Sequence, residues 1–368
     1  MKKSLLFLST ALFIVSCGHK HIDGVTINPD EAVDVQFEDV TENVKVVPLV
    51  SDDPLGGCSM LQCYGNELFM VDELYHNVYY FKDNKLEGVL KAVGRGRGEY
   101  TMIRKIGYDS ENKILYLVPN TDLNSIMSYS VPKMEYLETI KAPYQIGALR
   151  VYDKKTLLLA LKNEEDLGFY LFDVKTQDII RKVCNLTSFQ YNNSDVEIES
   201  YSRKNGIITL FDETNYLCEI TEDSLGVLKE YNYGKDGAET EFYSGDVNLY
   251  LSYLFENPDK FRGLYYPHYG KAGTSFWYST LLKKEVDYRF YRETKSGVTH
   301  LKGFHVPGLN YAMIPKCITD KGFITLISGD VDSFIDETVD PSPLAKEIIK
   351  AVRKQRDDNP VLVYYEMK

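Results

Sequence analysis

Tryptophan occurs once in 368 residues, basic residues are outnumbered 42 to 54, and no uninterrupted apolar run reaches membrane-spanning length. Each shortage excludes something. A formal charge of -12 argues against a nucleic-acid partner, because binding a phosphate backbone needs a basic face. A spanning helix needs about 20 apolar residues, and the run from Leu5 to Val15 is shorter and broken by Ser9 and Thr10. Cysteines number 6, with no Cys-x-x-Cys and no Cys/His cluster at zinc spacing, so neither a structural zinc nor a redox pair is written in the chain. Nucleophile and metallopeptidase signatures such as Gly-x-Ser-x-Gly and His-Glu-x-x-His do not occur. What the chain does have is tyrosine and phenylalanine, 29 and 17 residues, which suit pleated, half-buried surfaces.

The first residues read as an address. Lys2 and Lys3 precede the short apolar run, which has the build of a secretory leader. It ends in Ile14-Val15-Ser16-Cys17, which looks like a bacterial lipobox. Residues 1–16 are then a signal peptide, Cys17 the lipidated new N-terminus, and 17–42 a tether to a soluble domain at 43–368. Acyl chains contribute roughly 0.8 kcal/mol per buried methylene, so several together anchor firmly, and the membrane is met through the anchor alone. Loss of Lys2 and Lys3 moves the formal charge from -12 to -14, which disfavours adsorption onto anionic lipid. Gly18 stands where an Asp would suggest inner-membrane retention, so an outer-membrane location is expected. The other cysteines are Cys58, Cys63, Cys184, Cys218 and Cys317; an odd number leaves at least one thiol unpaired, and Cys58 and Cys63 are expected as small buried hydrophobes rather than a bridge.

Downstream, one pattern recurs: apolar strand, polar turn, apolar strand. It reads Leu68-Phe69-Met70-Val71-Asp72, then Ile114-Leu115-Tyr116-Leu117-Val118, and again from Leu157, Ile207, Phe276 and Phe323. The steps are 46, 43, 50, 69 and 47 residues, the period of propeller blades with three or four strands each. A lone blade leaves a hydrophobic face bare, so the fold is all-β, a six-bladed propeller closed into a ring. Closure needs a strand from each end, and residues 44–49 and 361–365 supply them. The long step predicts an insertion after blade four, near 238–268, with a short helix over 247–255. Ser342-Pro343 starts a second helix, with Leu344, Ile348, Ile349 and Val352 on one face, inserted in the last blade and packed on its surface.

Two motifs carry a resemblance. Gly94-Arg95-Gly96-Arg97-Gly98-Glu99-Tyr100 and Asn359-Pro360-Val361-Leu362-Val363-Tyr364 resemble a family of bacterial six-bladed β-propeller lipoproteins, related in architecture to NHL-repeat propellers. The resemblance runs from Val44 to Lys368. It implies a glycine-rich link between blades one and two and a ring-closing strand, and it implies no common activity. Arg97 departs from the pattern, standing where proline is commoner.

The chemistry is thinner. The glycine loop lacks the Gly-Lys-Ser/Thr ending of a phosphate-binding loop, and glycine there supplies positive φ in a turn. Arg95 and Arg97 project from it and suit a carboxylate or sulfate. The segment from Arg262 through Tyr265, Tyr266 and His268 reads as an aromatic loop fit for sugar or peptide. Asp330-Val331-Asp332-Ser333-Phe334-Ile335-Asp336 fails the calcium-loop template, with Ile335 where glycine is obligatory. No cofactor and no metal is expected. The reading is a monomeric, non-catalytic binding or interaction module, with an oligosaccharide, a peptide or an envelope protein as partner. The alternative is an envelope hydrolase or lyase using carboxylates or histidines around the central channel.

Overall fold

In a computed structural model the chain is described from residue 23 to 368, except 27–31, 52–53, 56, 163–166, 186–197, 201–206, 211–215, 221–224, 233–255, 257–260, 270–274, 283–285, 295–296, 303, 320–321 and 356–358. For the strands between 198 and 289 only the backbone is described. The leader, Cys17 and the helix expected over 247–255 lie outside these residues.

The strands group into six separate sheets. Blade one is β4 Cys58–Tyr64, β5 Glu67–Asp72, β6 Val78–Lys82 and β7 Lys85–Leu90; blade two is β8 Ile103–Asp109, β9 Ile114–Pro119, β10 Ser125–Ser130 and β11 Tyr136–Lys141. Blade three is β12 Gln145–Asp153, β13 Thr156–Lys162, β14 Leu167–Asp173 and β15 Asp178–Asn185. Blade four holds β16 Ile198–Ser200, β17 Ile207–Leu210, β18 Tyr216–Ile220 and β19 Leu225–Asn232, and blade five holds β20 Phe261–Tyr269, β21 Ser275–Leu282, β22 Val286–Thr294 and β23 Gly297–Lys302. Blade six is β24 Cys317–Ile318, β25 Phe323–Ile327 and β26 Val361–Met367, closed by β3 Thr41–Pro48 from the N-terminal side. Val361 pairs with Pro48 and Met367 with Thr41, so the ring is tied by main-chain hydrogen bonds between the two ends of the chain, as the residue pattern predicts.

Why the strands read as unbroken apolar runs is visible in their packing. Along β5, Phe69 and Val71 enter the cluster shared with blade two, while Leu68 and Met70 enter the cluster shared with blade six. Along β9, Leu115 and Leu117 face blade one, and Tyr116 and Val118 face blade three. Side chains alternate across a strand, and here both faces are covered by neighbouring blades, so both sets must be apolar. First strands approach each other around the axis, β4 with β24, β8 with β12 and β12 with β16.

Turns are punctuated by aspartate. Asp72 Oδ1 accepts from the Leu74 and Tyr75 amides, Asp109 Oδ1 from Glu111 and Asn112, and Asp173 Oδ1 from Lys175 and Thr176. The carboxylate satisfies amides that the ladder leaves over where a strand ends. The loop at 330–336 belongs to this class: Asp330 accepts from the Asp332 amide and Asp332 pairs with Arg353.

The N-terminal stretch departs from the expected tether. β1 Asp23–Thr26 adds in parallel to β19 as an outer edge of blade four, and β2 Ala32–Asp34 adds in parallel to β23 of blade five. A turn of helix, α1 Phe37–Val40, leads into β3, and Val50 bridges in parallel to Lys85 of β7. Residues 23–50 therefore form a belt over the outer strands of four consecutive blades, and the boundary expected at residue 43 moves back to Asp23. Phe37 plugs the belt into the core. It is fully buried, its ring 5.1 Å from Phe304 and 4.9 Å from Tyr365, and its amide donates to the His305 carbonyl.

The second helix, α2 Pro343–Lys354, is capped by Ser342 Oγ and buries Ala345, Ile348, Ile349, Ala351 and Val352 in the cluster of blades five and six. Ser342 Oγ also donates to Glu38 of α1, and Gln355 Nε2 donates to the Leu49 and Pro360 carbonyls, so α2 clasps the closure. No disulfide links the described cysteines. Cys58 and Cys63 sit at the two ends of β4, roughly 16 Å apart along a strand, beyond bridging distance. Burial pushes the Cys58 thiol up to about 12 and the Cys184 thiol up to about 11.

Two outcomes are expected. Phe37→Ala removes a fully enclosed ring and should cost about 3–5 kcal/mol in denaturant unfolding. Hydrogen bonds from turn amides and hydroxyls, and from Lys141 at Asp122, hold the carboxyls of Asp122, Asp173 and Asp336 below their ordinary value. Depressed carboxyl groups contribute stability above their unfolded value of about 3.9 and lose it as pH falls through the folded value. The melting temperature should accordingly drop as pH falls below about 4, and Asp173→Asn should flatten that drop.

Candidate functional site

The two faces of the disc differ. Connections within a blade from first to second strand and from third to fourth are short, for example 65–66, 83–84, 110–113 and 154–155. Those from second to third strand and from one blade to the next emerge on the opposite face. They include 91–102, 186–197, 233–260, 303–316 and 328–360. This loop face carries α2 and the glycine loop, while the insertion expected after blade four lies, its β20 end apart, almost wholly outside the described residues.

The glycine loop is a closed hairpin between blades one and two. The Gly94 amide donates to the Tyr100 carbonyl and the Tyr100 amide to Ala92. Glu99 folds back so that its Oε2 accepts from the Gly96 amide at 2.6 Å. A Cβ on Gly94 would fall on that carboxylate, and Gly98, at φ +75, has the Tyr136 ring where a Cβ would be. The space a phosphate would need is thus filled by the protein's own carboxylate. Tyr129 Oη donates to the Gly98 carbonyl and Tyr100 Oη to His76, fixing the loop to both blades. Arg97 lies over Tyr136, 5.8 Å from the ring centroid. Arg95 and Arg97 are both exposed.

Arg262, Tyr265, Tyr266 and His268 lie on β20, the first strand of blade five, and not on a loop. Gly263 and Pro267, which read as turn signals, fall at two register shifts in the pairing with β21, between Phe261 and Leu264 and between Tyr265 and His268. An innermost edge strand tolerates both, because its outward amides have no ladder to serve. β20 is separated from the glycine loop by blade six on one side and by blades three and four on the other. The structure does not bring the two candidate sets together.

Two groupings escape sequence reading. Glu67 at the start of β5 is 6% exposed and bonded on both oxygens. Tyr80 Oη at 2.5 Å, Tyr108 Oη at 3.0 Å and Lys113 Nζ at 3.0 Å all donate to Oε1, and Lys113 also reaches Oε2 at 2.9 Å. Desolvation pushes the Glu67 carboxyl up, but these donors outweigh it and hold the group below the ordinary range. Tyr80 and Tyr108 are pushed up by burial and by the adjoining Glu67 charge. With its lone pairs engaged, this carboxylate ties blade one to blade two. Its partners lie up to 46 residues away in sequence, so no motif announces them.

The second grouping surrounds the channel entrance. The opening residues of the first strands include Arg104 and Lys105 on β8 and Arg262 on β20, and Lys316 immediately precedes β24. The acid among them is Glu199 on β16. Arg104 is half-buried and Lys316 exposed. Further along, Asp109 and Asp153 close β8 and β12 at the opposite face, their Oδ1 atoms engaged by turn amides. In a molecule of formal charge -12, the basic residues gather at the loop-face ends of the first strands, with Asp72 and Glu73 of blade one sharing the surroundings of Cys58 with Lys316. Among the described residues no group of three or more His, Cys, Asp and Glu could hold a metal.

Six sheets, four of four strands and two of five, match the fold of a family whose model is described as a 6-bladed beta-propeller and matches residues 18–248. The chain belongs to this family, DUF5128. As a DUF5128 propeller it is similar to a Bacteroides fragilis protein classed as exported, at TM-score 0.66 and 14% identity, over 94% of this chain and 99% of that one. It is also similar to a DUF4221-family member from Bacteroides vulgatus, at TM-score 0.51 and 10% identity, over 89% of this chain and 98% of that one. At such identities the likeness is one of fold. No curated protein matches the DUF5128 chain in sequence.

Gly98→Ala should force Tyr136 aside and strain a left-handed φ, lowering stability by about 1–3 kcal/mol in urea unfolding. Gly65→Ala, also at positive φ but with open space around it, should cost less.

Proposed function

We propose that this DUF5128 propeller is a lipid-anchored binding module of the bacterial envelope, which holds a ligand carrying acid groups, glycan or peptide, at its loop face. The observation that carries the reading is the placing of Arg104 and Lys105 at the start of β8, Arg262 at the start of β20 and Lys316 just before β24, in an otherwise acidic molecule. Opposite charge at a concave opening both attracts and orients an anion, and a guanidinium binds a carboxylate or sulfate through two parallel bonds. Tyr265, Tyr266 and His268 on the same inner strand as Arg262 add ring faces suited to sugars and peptides. Arg95 and Arg97, both exposed, extend the surface on the far side of the ring.

The anchor is Cys17, at the end of an apolar leader, and the outer membrane is the destination Gly18 favours. The exported class of the Bacteroides fragilis neighbour agrees with it. Among the described residues no helix is long and apolar enough to cross a membrane, which leaves the attachment to the anchor. A hydrolytic role finds less support. The buried carboxylates Glu67 and Asp109 are engaged in bonds that serve the fold, and His300 is stacked on Tyr291.

The test is a binding screen by thermal shift and calorimetry, with uronate-bearing and sulfated oligosaccharides, acidic peptides and their neutral counterparts. Acidic ligands should bind with salt-dependent affinity. A charge-assisted bond is worth about 1.5–3 kcal/mol, so Arg104→Ala should weaken binding by roughly tenfold to a hundredfold, as should Lys316→Ala. Tyr265→Ala with Tyr266→Ala should remove what remains. Equal binding of neutral ligands, or affinity untouched by these changes, would sink the proposal.

A further inference from the structure

A free tether from Cys17 to residue 42 would extend up to roughly 85 Å. A domain of this size is about 50 Å across, so such a tether would let the disc turn in any direction above a membrane. The belt removes most of that reach. β1 begins at Asp23, held to blade four by in-register parallel pairing of Asp23 with Lys229, Gly24 with Glu230, Val25 with Tyr231 and Thr26 with Asn232. The next hold is Ala32 to Asp34 on His300 to Lys302, and the third is the buried Phe37. Pulling the belt off costs these in sequence, ending with the ring-closing strand itself. The free length is therefore the stretch from Cys17 to Asp23, at most about 20 Å.

Direction follows from the same pairing. β19 runs from the short-turn face towards the loop face, because it follows the connection 221–224 and precedes the connection 233–260. β1 is parallel to it, so the chain arrives at Asp23 from the short-turn side of blade four's outer edge. A leash shorter than half the width of the body cannot carry its attachment point far from the bilayer or swing it to the other side.

We infer that the bilayer is met by the short-turn side of the rim at blade four, and that the loop face, with the basic residues of its first strands, is turned away from the lipid. The inference rests on lipidation at Cys17. It adds which side of the disc is given to the membrane and which is left to a partner. The belt is then what aims the module, and its sequence can vary only where backbone pairing is kept.

Energy transfer to lipid tests this. The lipidated full chain, carrying Trp277→Phe so that a single introduced tryptophan reports, is placed in phosphatidylcholine vesicles containing dansyl headgroups. One variant adds Lys175→Trp, in an exposed short turn of blade three beside blade four; another adds Tyr75→Trp, in an exposed turn of the loop face. Circular dichroism melts verify that each variant retains the fold, and Phe169→Trp within the core serves as an intermediate reference should Trp277→Phe unfold and wild-type Trp277 have to be kept as a constant background. Transfer should be severalfold stronger from Lys175→Trp than from Tyr75→Trp. Inserting about 20 Gly/Ser residues after His19, roughly 70 Å of added reach, should abolish the difference. Equal transfer from the two positions on the native leash, or stronger transfer from Tyr75→Trp, overturns the orientation while leaving the anchor intact. Mass spectrometry of the mature chain decides the other point: an unmodified Cys17 overturns the anchor, and the orientation with it.

Discussion

Blades one, two and six are each buried on both faces by their neighbours, and the rest of the structure depends on that constraint. A sheet with one wet face alternates apolar and polar side chains. Here Leu68, Phe69, Met70 and Val71 are consecutive and all enclosed, two against each neighbouring blade. Such a strand has no stable existence outside the ring, since each blade supplies half of two interfaces and none of its own. Circular closure is thus an energetic requirement. It explains why the weakest topological point, the seam of blade six, is reinforced by β3, Phe37, α2 and the bonds from Gln355. Polar ties follow the same rule. Glu67 and Lys113 join neighbouring blades where apolar contact gives way to solvent, and every oxygen of that carboxylate is occupied.

Fold-serving contacts saturate the described interior, which leaves the rim of the channel and the connections as the surface the proposed ligand would meet. Turn-capping aspartates consume much of the acidic excess, so an abundance of carboxylate is poor guidance to catalysis in a molecule of this kind. The glycine loop teaches the same lesson: a segment that resembles an anion cradle holds Glu99 instead. The basic residues at the start of the first strands, Arg104 among them, stand on strands rather than in turns.

Much of this architecture was legible in the residues, because enclosure on two sides writes runs such as Leu157 to Ala160 that recur at nearly constant steps. The seam was legible for the same reason: Val46, Val47, Val361 and Val363 are apolar beyond what an edge requires. The belt was not. Asp23 to Thr26 and Ala32 to Asp34 attach through main-chain bonds at a rim, and such pairing asks little of side chains. The channel strand of blade five was also hidden, since Gly263 and Pro267 mimic a turn while the pairing merely slips around them. A cluster assembled from separate blades, Glu67 with Tyr108 and Lys113, leaves no linear trace, because ring geometry and not spacing brings it together.

The thiols carry a consequence of their own. With Cys184 raised to about 11, and Cys58 higher still, on the order of one sulfur in ten thousand or fewer is ionised at neutral pH. Because oxidants and oxidoreductases attack the anion, both sulfurs are chemically silent without being bridged. Both sulfurs owe this to burial, which exists only in the closed ring. Rapid annealing of the seam would thereby guard covalent integrity as well as shape.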